Sequence, residues 1–353
     1  MSGPVGLSPA QIEHFVTHSW VKLEAAVPAA MCSRWVAAAC AAHGVDAAKP
    51  STWGDPTDGW RPQKFLDIRH ELSAPMRDVA PALHTAICQL CGGEQRVTQP
   101  PHPLSSLRLD AAFVVNYDQG SDQPWVEPHP SRGGSWHVDG DFVHYLDSPE
   151  AGLFFIVLWG DVELQQGPTY FSPDSVGHAL RELWRVHPEG LSAKQLNSVE
   201  HNPKRHAQQA LPCVGKAGTA FLMHPSMLHT SSQNIKRVPR YMRNDQVQLN
   251  APFAFDPDDL CPVERNTLRC LGLPEAGGLP WFEPPPASRR CATDADTGAR
   301  LPWKYKDRPS FATPAQERGL SATMYGSEAG RRAALAEGFE GARQPAAQPS
   351  ARI

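Results

Sequence analysis

Two stretches of the chain carry residue types that could hold a metal ion. The first reads Trp136-His137-Val138-Asp139-Gly140. In an extended strand, side chains two residues apart share a face. His137 and Asp139 could therefore grip one ion while Val138 faces away. The second stretch runs from Gly218 through the apolar Ala220-Phe221-Leu222-Met223 to His224, Pro225 and His229, then on to Ser231, Asn234 and Arg240. Here an apolar strand delivers a histidine, and a basic residue returns on the strand that follows. An HxD or HxE match alone arises by chance in chains of this length, and His187-Pro188-Glu189 is another one. Pro188 and its polar surroundings make a poor central strand, so that match is set aside. His229 is preferred to His224, which precedes Pro225 and reads as a packed or hydrogen-bonding histidine near the site.

Two histidines and one carboxylate form the facial triad that suits iron(II), with open positions left on the metal. A 2-oxo acid can chelate through its keto oxygen and carboxylate, and dioxygen (O2) can take the position that remains. A single carboxylate leaves a divalent ion net positive, which favours an anionic cosubstrate. The planar fork of Arg240 could then bind the distal carboxylate of 2-oxoglutarate, and Ser231 could add a hydroxyl donor. Arg243 falls on the opposite face of a regular strand, and Arg237 falls in the preceding loop. Trp159, from a central strand, would face the pocket, and Asn116 lies where a cosubstrate contact is possible. Trp136, Phe142, His144, Tyr145 and His224 are candidates for the substrate pocket. Trp53, Trp60 and Trp125 could line its mouth, and Arg61 and Lys64 beside Trp60 could receive an acidic group. Core or surface packing is the competing reading for each of these singly. No catalytic residue is assigned beyond the metal ligands.

The elements that must position these groups come in two blocks. Ser8-Pro9-Ala10-Gln11 has the pattern of a capped helix start, followed by a strand at Trp20-Val21-Lys22-Leu23. Helices are predicted over Ala29 to His43, with Gly44 as a stop, and over Pro75 to Leu90. After Pro103 the chain turns to short strands: Phe113 to Tyr117, Leu153 to Trp159, Thr169 to Phe171, Thr219 to Met223 and Tyr241 to Leu249. Val176 to Ala210 is polar and partly helical and reads as an insertion on the rim. Pro257 to Leu271 reads as a helix ended by Gly272. Helices first and strands afterwards suit a helix-buttressed β-sandwich or barrel, not alternating βαβ units.

The segment Phe221 to Arg240 resembles the closing motif of the phytanoyl-CoA dioxygenase family. His224-Pro225, His229, Ser231, Asn234 and Arg240 stand at the family's spacing, with the arginine eleven residues beyond the ligand histidine. His137 and Asp139 match its HxD. Leu158-Trp159 and Gln166-Gly167-Pro168 are similar to its central strand and the turn after it. Leu7 to Ile12 resembles its opening helix. Phe171-Ser172-Pro173-Asp174-Ser175 departs from the family's PGSH pattern. The resemblance implies a mainly β double-stranded β-helix, a jelly-roll or cupin-like barrel buttressed by N-terminal helices, with Fe(II) and 2-oxoglutarate. It also implies oxidation, by default hydroxylation, of a C–H bond in a small organic molecule, with release of succinate and CO2. An intact Asp139 separates the chain from halogenases of this fold, which lack the carboxylate. The alternatives are a catalytically inactive jelly-roll ligand-binding protein and a cupin-like enzyme with another metal.

The bulk numbers agree with such an enzyme. The 353 residues are 41% hydrophobic and 20% charged, in the range of globular domains. One oxygenase domain is expected over residues 1–290, with a jelly-roll core at about 105–252 and the insertion at about 176–210. Residues 291–353 form a Pro/Arg/Ala-rich, partly ordered C-terminal extension. The net charge of −4 argues against a nucleic-acid binder. No apolar run is long enough for a membrane span, and Met1 to Pro9 lacks a signal-peptide pattern. The eight cysteines follow no disulfide-scaffold spacing, so the expectation is a cytoplasmic protein with free thiols. The Cys88/Cys91 CxxC pair is read as a helix face. The sequence assigns no oligomeric state.

Overall fold

The computed structural model describes residues 6–53, 63–100, 105, 107–117, 122, 124–132, 134–140, 142–187, 190–198 and 201–279, with two strand pieces at 292–293 and 300–301. Trp60, Arg61, Pro188 and Glu189, the side chain of Lys64 and the rest of the C-terminal extension lie outside the described residues.

The strands in chain order are β1 (Trp20–Leu23), β2 (Gln63–Asp67), β3 (Ser73–Pro75), β4 (Arg108–Asp110), β5 (Ala112–Asn116), β6 (Val143–His144), β7 (Leu153–Leu158), β8 (Tyr170–Ser172), β9 (Leu191–Ser192), β10 (Leu211–Pro212), β11 (Ala220–Met223), β12 (Leu228–Thr230) and β13 (Arg240–Val247). The major sheet is antiparallel, in the order β1-β11-β7-β13-β5-β2. A minor sheet, β10-β8-β12, packs against it: Phe171 of β8 meets Phe221 of β11 and Trp20 of β1. Every residue of β7 is buried, as befits a central strand covered on both faces. The architecture is mainly antiparallel β with flanking helices.

The helices are α1 (Pro9–His18), α2 (Ala29–Ala42), α3 (Met76–Val79), α4 (Pro81–Leu90), α5 (Ser175–Arg185), α6 (Ala193–Leu196) and α7 (Pro262–Leu271). Ser8 and Gln11 close a capping box at the start of α1, which satisfies backbone donors that would otherwise lack partners. α2 covers the outer face of the major sheet, with Trp35 stacked on Trp159 at 5.5 Å. The single helix expected over Pro75 to Leu90 is instead two. Ala80 adopts φ −144°, ψ 58°, because the following Pro81 disfavours helical backbone at the residue before it. α7 starts at Pro262 and not at Pro257. Glu264 accepts from the backbone N–H groups of Phe255 and Cys261 and so fixes the start.

The segment expected as a rim insertion is partly core. Val176, Ala179, Leu180 and Leu183 of α5 are buried, and α5 packs on α7. Three-to-four spacing collects these residues on one helix face.

Candidate metal centre

His137 does not sit in a named strand, as the HxD pattern had suggested. It makes an isolated antiparallel bridge to His229 of β12. The two residues exchange both backbone hydrogen bonds, at 3.0 and 2.9 Å. This bridge adds one residue to the edge of the minor sheet and brings the imidazole centroids to 4.5 Å. The segment is held from behind by the 176–210 region. Asn197 accepts from Val138 N–H at 2.9 Å and donates to Val138 O at 3.0 Å, and Asn202 donates to Trp136 O. Gly140 ends the segment at φ +123°, where a Cβ would lie 2.4 Å from the ring of Phe142.

The side chains of His137, Asp139 and His229 converge, each offering one ligand atom, all within 4.8 Å of one another. His137 Nε2 is 3.1 Å from Asp139 Oδ1, and His229 Nε2 is 3.4 Å from Oδ2. His137 Nδ1 lies 2.6 Å from Ser135 O, and His229 Nδ1 lies 3.2 Å from Met227 O. A carbonyl only accepts, so each Nδ1 carries a hydrogen and each neutral ring presents the Nε2 lone pair inward. Three acceptors then face one another. Asp139 is buried, and its Oδ1 has no aligned hydrogen-bond donor. Such a donor set requires a cation, either protons on the imidazoles or a metal ion, and it fits the latter. Burial alone would raise the Asp139 carboxyl, but the charge of His229 and the approach of both rings hold it far below the usual range. Burial opposes the His137 imidazolium, but the hydrogen bond and charge of Asp139 outweigh it and raise that group.

Sequence reasoning missed three supports of the triad. Asn244 Nδ2 donates to Asp139 Oδ2 at 2.6 Å, and Gln246 Nε2 donates to Asp139 O at 2.8 Å. Phe154 of β7 stacks on the His229 ring at 4.7 Å. Strand parity held the signal for the first two. Asn244 and Gln246 stand four and six residues beyond Arg240, on the same face of β13.

Arg240 is 1% exposed. Its Nε donates to Gly167 O at 2.8 Å and its Nη1 reaches Val114 O at 3.4 Å. Among the described residues no carboxylate pairs with it, and burial pulls its guanidinium down to about 10. Asn116 pairs directly with Arg240 across β5 and β13. Its Nδ2 donates to Ser232 O, and its Oδ1 is a buried acceptor without a donor.

Two other expectations, for Trp159 and Ser231, are corrected. Trp159 does not face the pocket. It is sandwiched between Trp35 and Phe113 on the helix-covered side, the face opposite Phe154. Ser231 is exposed, and the buried hydroxyl is that of Ser232, which donates to Pro168 O. His224 is buried between the β11–β12 turn and α7, where its Nε2 bonds Thr267 Oγ1 at 3.0 Å. Trp136 is buried, with its backbone carbonyl tied to Asn202. The rings of Phe142 and His144 meet at 4.5 Å in a tilted pair, next to the Gly140 turn. Tyr145 follows them, its N–H donating to Ser148. Trp53 stacks on Tyr117 in the core, and Trp125 is half-buried. The described cysteines are unpaired thiols, and no described helix is long and apolar enough to cross a membrane.

A His-Asp-His triad at the seam of two antiparallel sheets, with a buried arginine on the adjoining strand, defines a non-haem metal site of the oxygenase type. Residues 97–242 match the family model described as Phytanoyl-CoA dioxygenase (PhyH). That match, to the middle of the chain, supports a 2-oxoglutarate-dependent non-haem iron dioxygenase. No curated protein matches the sequence. Similar solved structures include the epimerase SnoN in complex with Fe3+, alpha ketoglutarate and nogalamycin RO (14% identity, 69% of this chain and 84% of that one, TM-score 0.40). Others are EctD from S. alaskensis with bound Fe (19%, 74% and 81%, TM-score 0.39) and HygX from Streptomyces hygroscopicus with nickel and 2-oxoglutarate bound (11%, 68% and 86%, TM-score 0.38).

Proposed function

We propose that the protein oxidises, and by default hydroxylates, a C–H bond of a small organic molecule, releasing succinate and CO2. The observation that carries this reading is the pairing of a converging His137-Asp139-His229 donor set with the buried Arg240, which lacks a carboxylate partner among the described residues. Fe(II), when bound, supplies the activation of dioxygen coupled to oxidative decarboxylation of 2-oxoglutarate. The work of the chain is to bind, orient and exclude water. His137 and His229 present Nε2 because the carbonyls of Ser135 and Met227 fix their tautomers. Asp139 supplies one negative charge, which leaves a divalent ion positive enough to attract an anionic cosubstrate. Arg240 receives the distal carboxylate of 2-oxoglutarate, and Gly167 O aims its fork. Asn116, opposite Arg240, offers a free Oδ1 at the same end of the site. Phe154 seals one side of the His229 ring.

We take residues 1–290 as one domain, since β1 pairs with β11 and α1 packs on α7. Residues 291–353 are then an extension.

The direct test is anaerobic addition of Fe(II) and then 2-oxoglutarate to metal-free protein. A weak visible charge-transfer band should form, vanish in His229→Ala and weaken in Arg240→Ala. Absence of the band in folded, iron-loaded wild type would remove the oxygenase reading and leave a ligand-binding jelly roll or a cupin-like enzyme with another metal.

A further inference from the structure

Asn197 and Asn202 hold the backbone of the HxD segment, and Phe154 packs on the His229 ring. Asp139 itself is met by a pair of carboxamides on β13. Arg240, Met242, Asn244 and Gln246 alternate onto the inner face of this strand, and two of them reach Asp139. A carboxylate can only accept, so the amide nitrogen of Asn244 faces it. The 2.6 Å approach occupies Asp139 Oδ2. Gln246 donates at 2.8 Å to the backbone oxygen of the same residue. Asp139 Oδ1 is left without an aligned donor, 3.1 Å from His137 Nε2. Among the described residues neither amide oxygen accepts a hydrogen bond, so the donations to Asp139 are the described contacts that orient the two side chains.

We propose that Asn244 is the positioning residue of the metal carboxylate. With Gln246 holding the backbone, Asn244 ties down Oδ2 and so presents Oδ1 as a one-oxygen ligand beside His137 and His229. A carboxylate free to rotate about χ2 could offer both oxygens to the ion and consume a coordination position needed by cosubstrate or dioxygen. A hydrogen bond to one oxygen prevents this. The inference rests on the metal-centre reading above.

The test uses Co(II) as the probe, titrated into the metal-free full-length chain, with affinity read calorimetrically and geometry read from the cobalt d–d absorption. Asn244→Leu keeps the side-chain size and removes the donor. It should weaken Co(II) binding by about 10- to 100-fold, the usual effect of losing a group that orients a ligand. It should also alter the d–d spectrum, with the metal-free protein still folded and its melting temperature lowered by no more than the loss of one hydrogen bond to a buried carboxylate. Asn244→Gln, which keeps the donor on a longer stem, should recover part of the affinity. Asn244→Ala repeats the measurement if the leucine variant fails to fold. Wild-type affinity and an unchanged spectrum in the donorless variant would overturn this inference alone. Failure of the wild type to bind Co(II) would overturn the metal centre itself and this inference with it.

Discussion

Acidification should unfold this protein partly through one side chain, His224. Its hydrogen bonds fix a neutral tautomer. Ser226 N–H donates to Nδ1 at 3.1 Å, Nε2 donates to Thr267 Oγ1 at 3.0 Å, and Thr267 passes its own hydrogen to Val263 O. A proton on Nδ1 would point at an N–H group. Burial pulls the imidazole from 6.5 down to about 3. The folded value is depressed, so the contribution is complete above about pH 6.5 and is lost as pH falls toward 3. Each pH unit in that window is worth about 1.4 kcal/mol, so the full interval amounts to roughly 4–5 kcal/mol. That is a large part of the 5–15 kcal/mol that holds typical domains folded. Other carboxylates add their own acid sensitivity, so the assay compares wild type with His224→Asn. The asparagine can still accept from Ser226 but cannot titrate. Urea unfolding at pH 7, 6, 5 and 4 should give a variant about 1 kcal/mol weaker at pH 7, for the lost Thr267 bond. The gap should close and reverse as pH falls. A difference that stays constant from pH 7 to pH 4 would refute the neutral, buried histidine.

Three further outcomes follow from the same geometry. Arg240→Met replaces an unpaired buried cation by an apolar side chain of similar reach. The melting temperature should hold or rise, while 2-oxoglutarate ceases to stabilise the protein and 2-oxoglutarate turnover falls by about 100-fold, from loss of a charge-assisted pair worth roughly 3 kcal/mol. A drop in stability with turnover retained would make Arg240 structural. Gly167→Ala should raise the KM for 2-oxoglutarate, because Gly167 sits at φ +72° and a Cβ there would lie 2.4 Å from Asn116 Nδ2, next to the carbonyl that aims Arg240. Trp159→Ala should lower unfolding free energy by about 3–5 kcal/mol and leave the KM for 2-oxoglutarate unchanged. A KM effect without a stability effect would return Trp159 to the pocket.

The metal-binding residue types were legible because both halves of the pattern sit in short local motifs, and the strands between them are marked by apolar runs. Parity also puts Arg240 and Arg243 on opposite faces of β13, and the structure has them so. The same rule carried one step further would have found Asn244 and Gln246. Applied to β7, it would have turned Trp159 away from Phe154 and toward α2. Those errors came from reading residues singly when the strand fixes them as a row. The helix break at Ala80 was also written in the chain, in Pro81. What the sequence could not show is the role of Asn197 and Asn202. They hold the HxD segment across 59 and 66 residues, and no periodicity marks a side chain that will cap a distant backbone. His137 gave no strand signal for a related reason, since its one bridge to His229 is a tertiary contact with no run of paired residues behind it.

The two buried arginines of β13 separate function from structure. Arg243, on the outer face, meets Asp245 at 2.8 Å and Asp110 at 3.3 Å. Burial disfavours its charge, and those carboxylates more than compensate, raising it above its usual value. Arg240, three residues away, is buried as deeply, with two backbone carbonyls and no described carboxylate, and its guanidinium is pulled down. Removing a charge from water without a counterion costs several kcal/mol. The outer arginine offsets that within the fold and can be understood as part of its stability. The inner one cannot, and it lies on the face that also carries Asn244 and Gln246 to the triad. A stabilising role predicts a carboxylate within reach of Arg240, as at Arg243. An anion-binding role predicts the arrangement present here, a fork fixed by backbone carbonyls with no described carboxylate beside it.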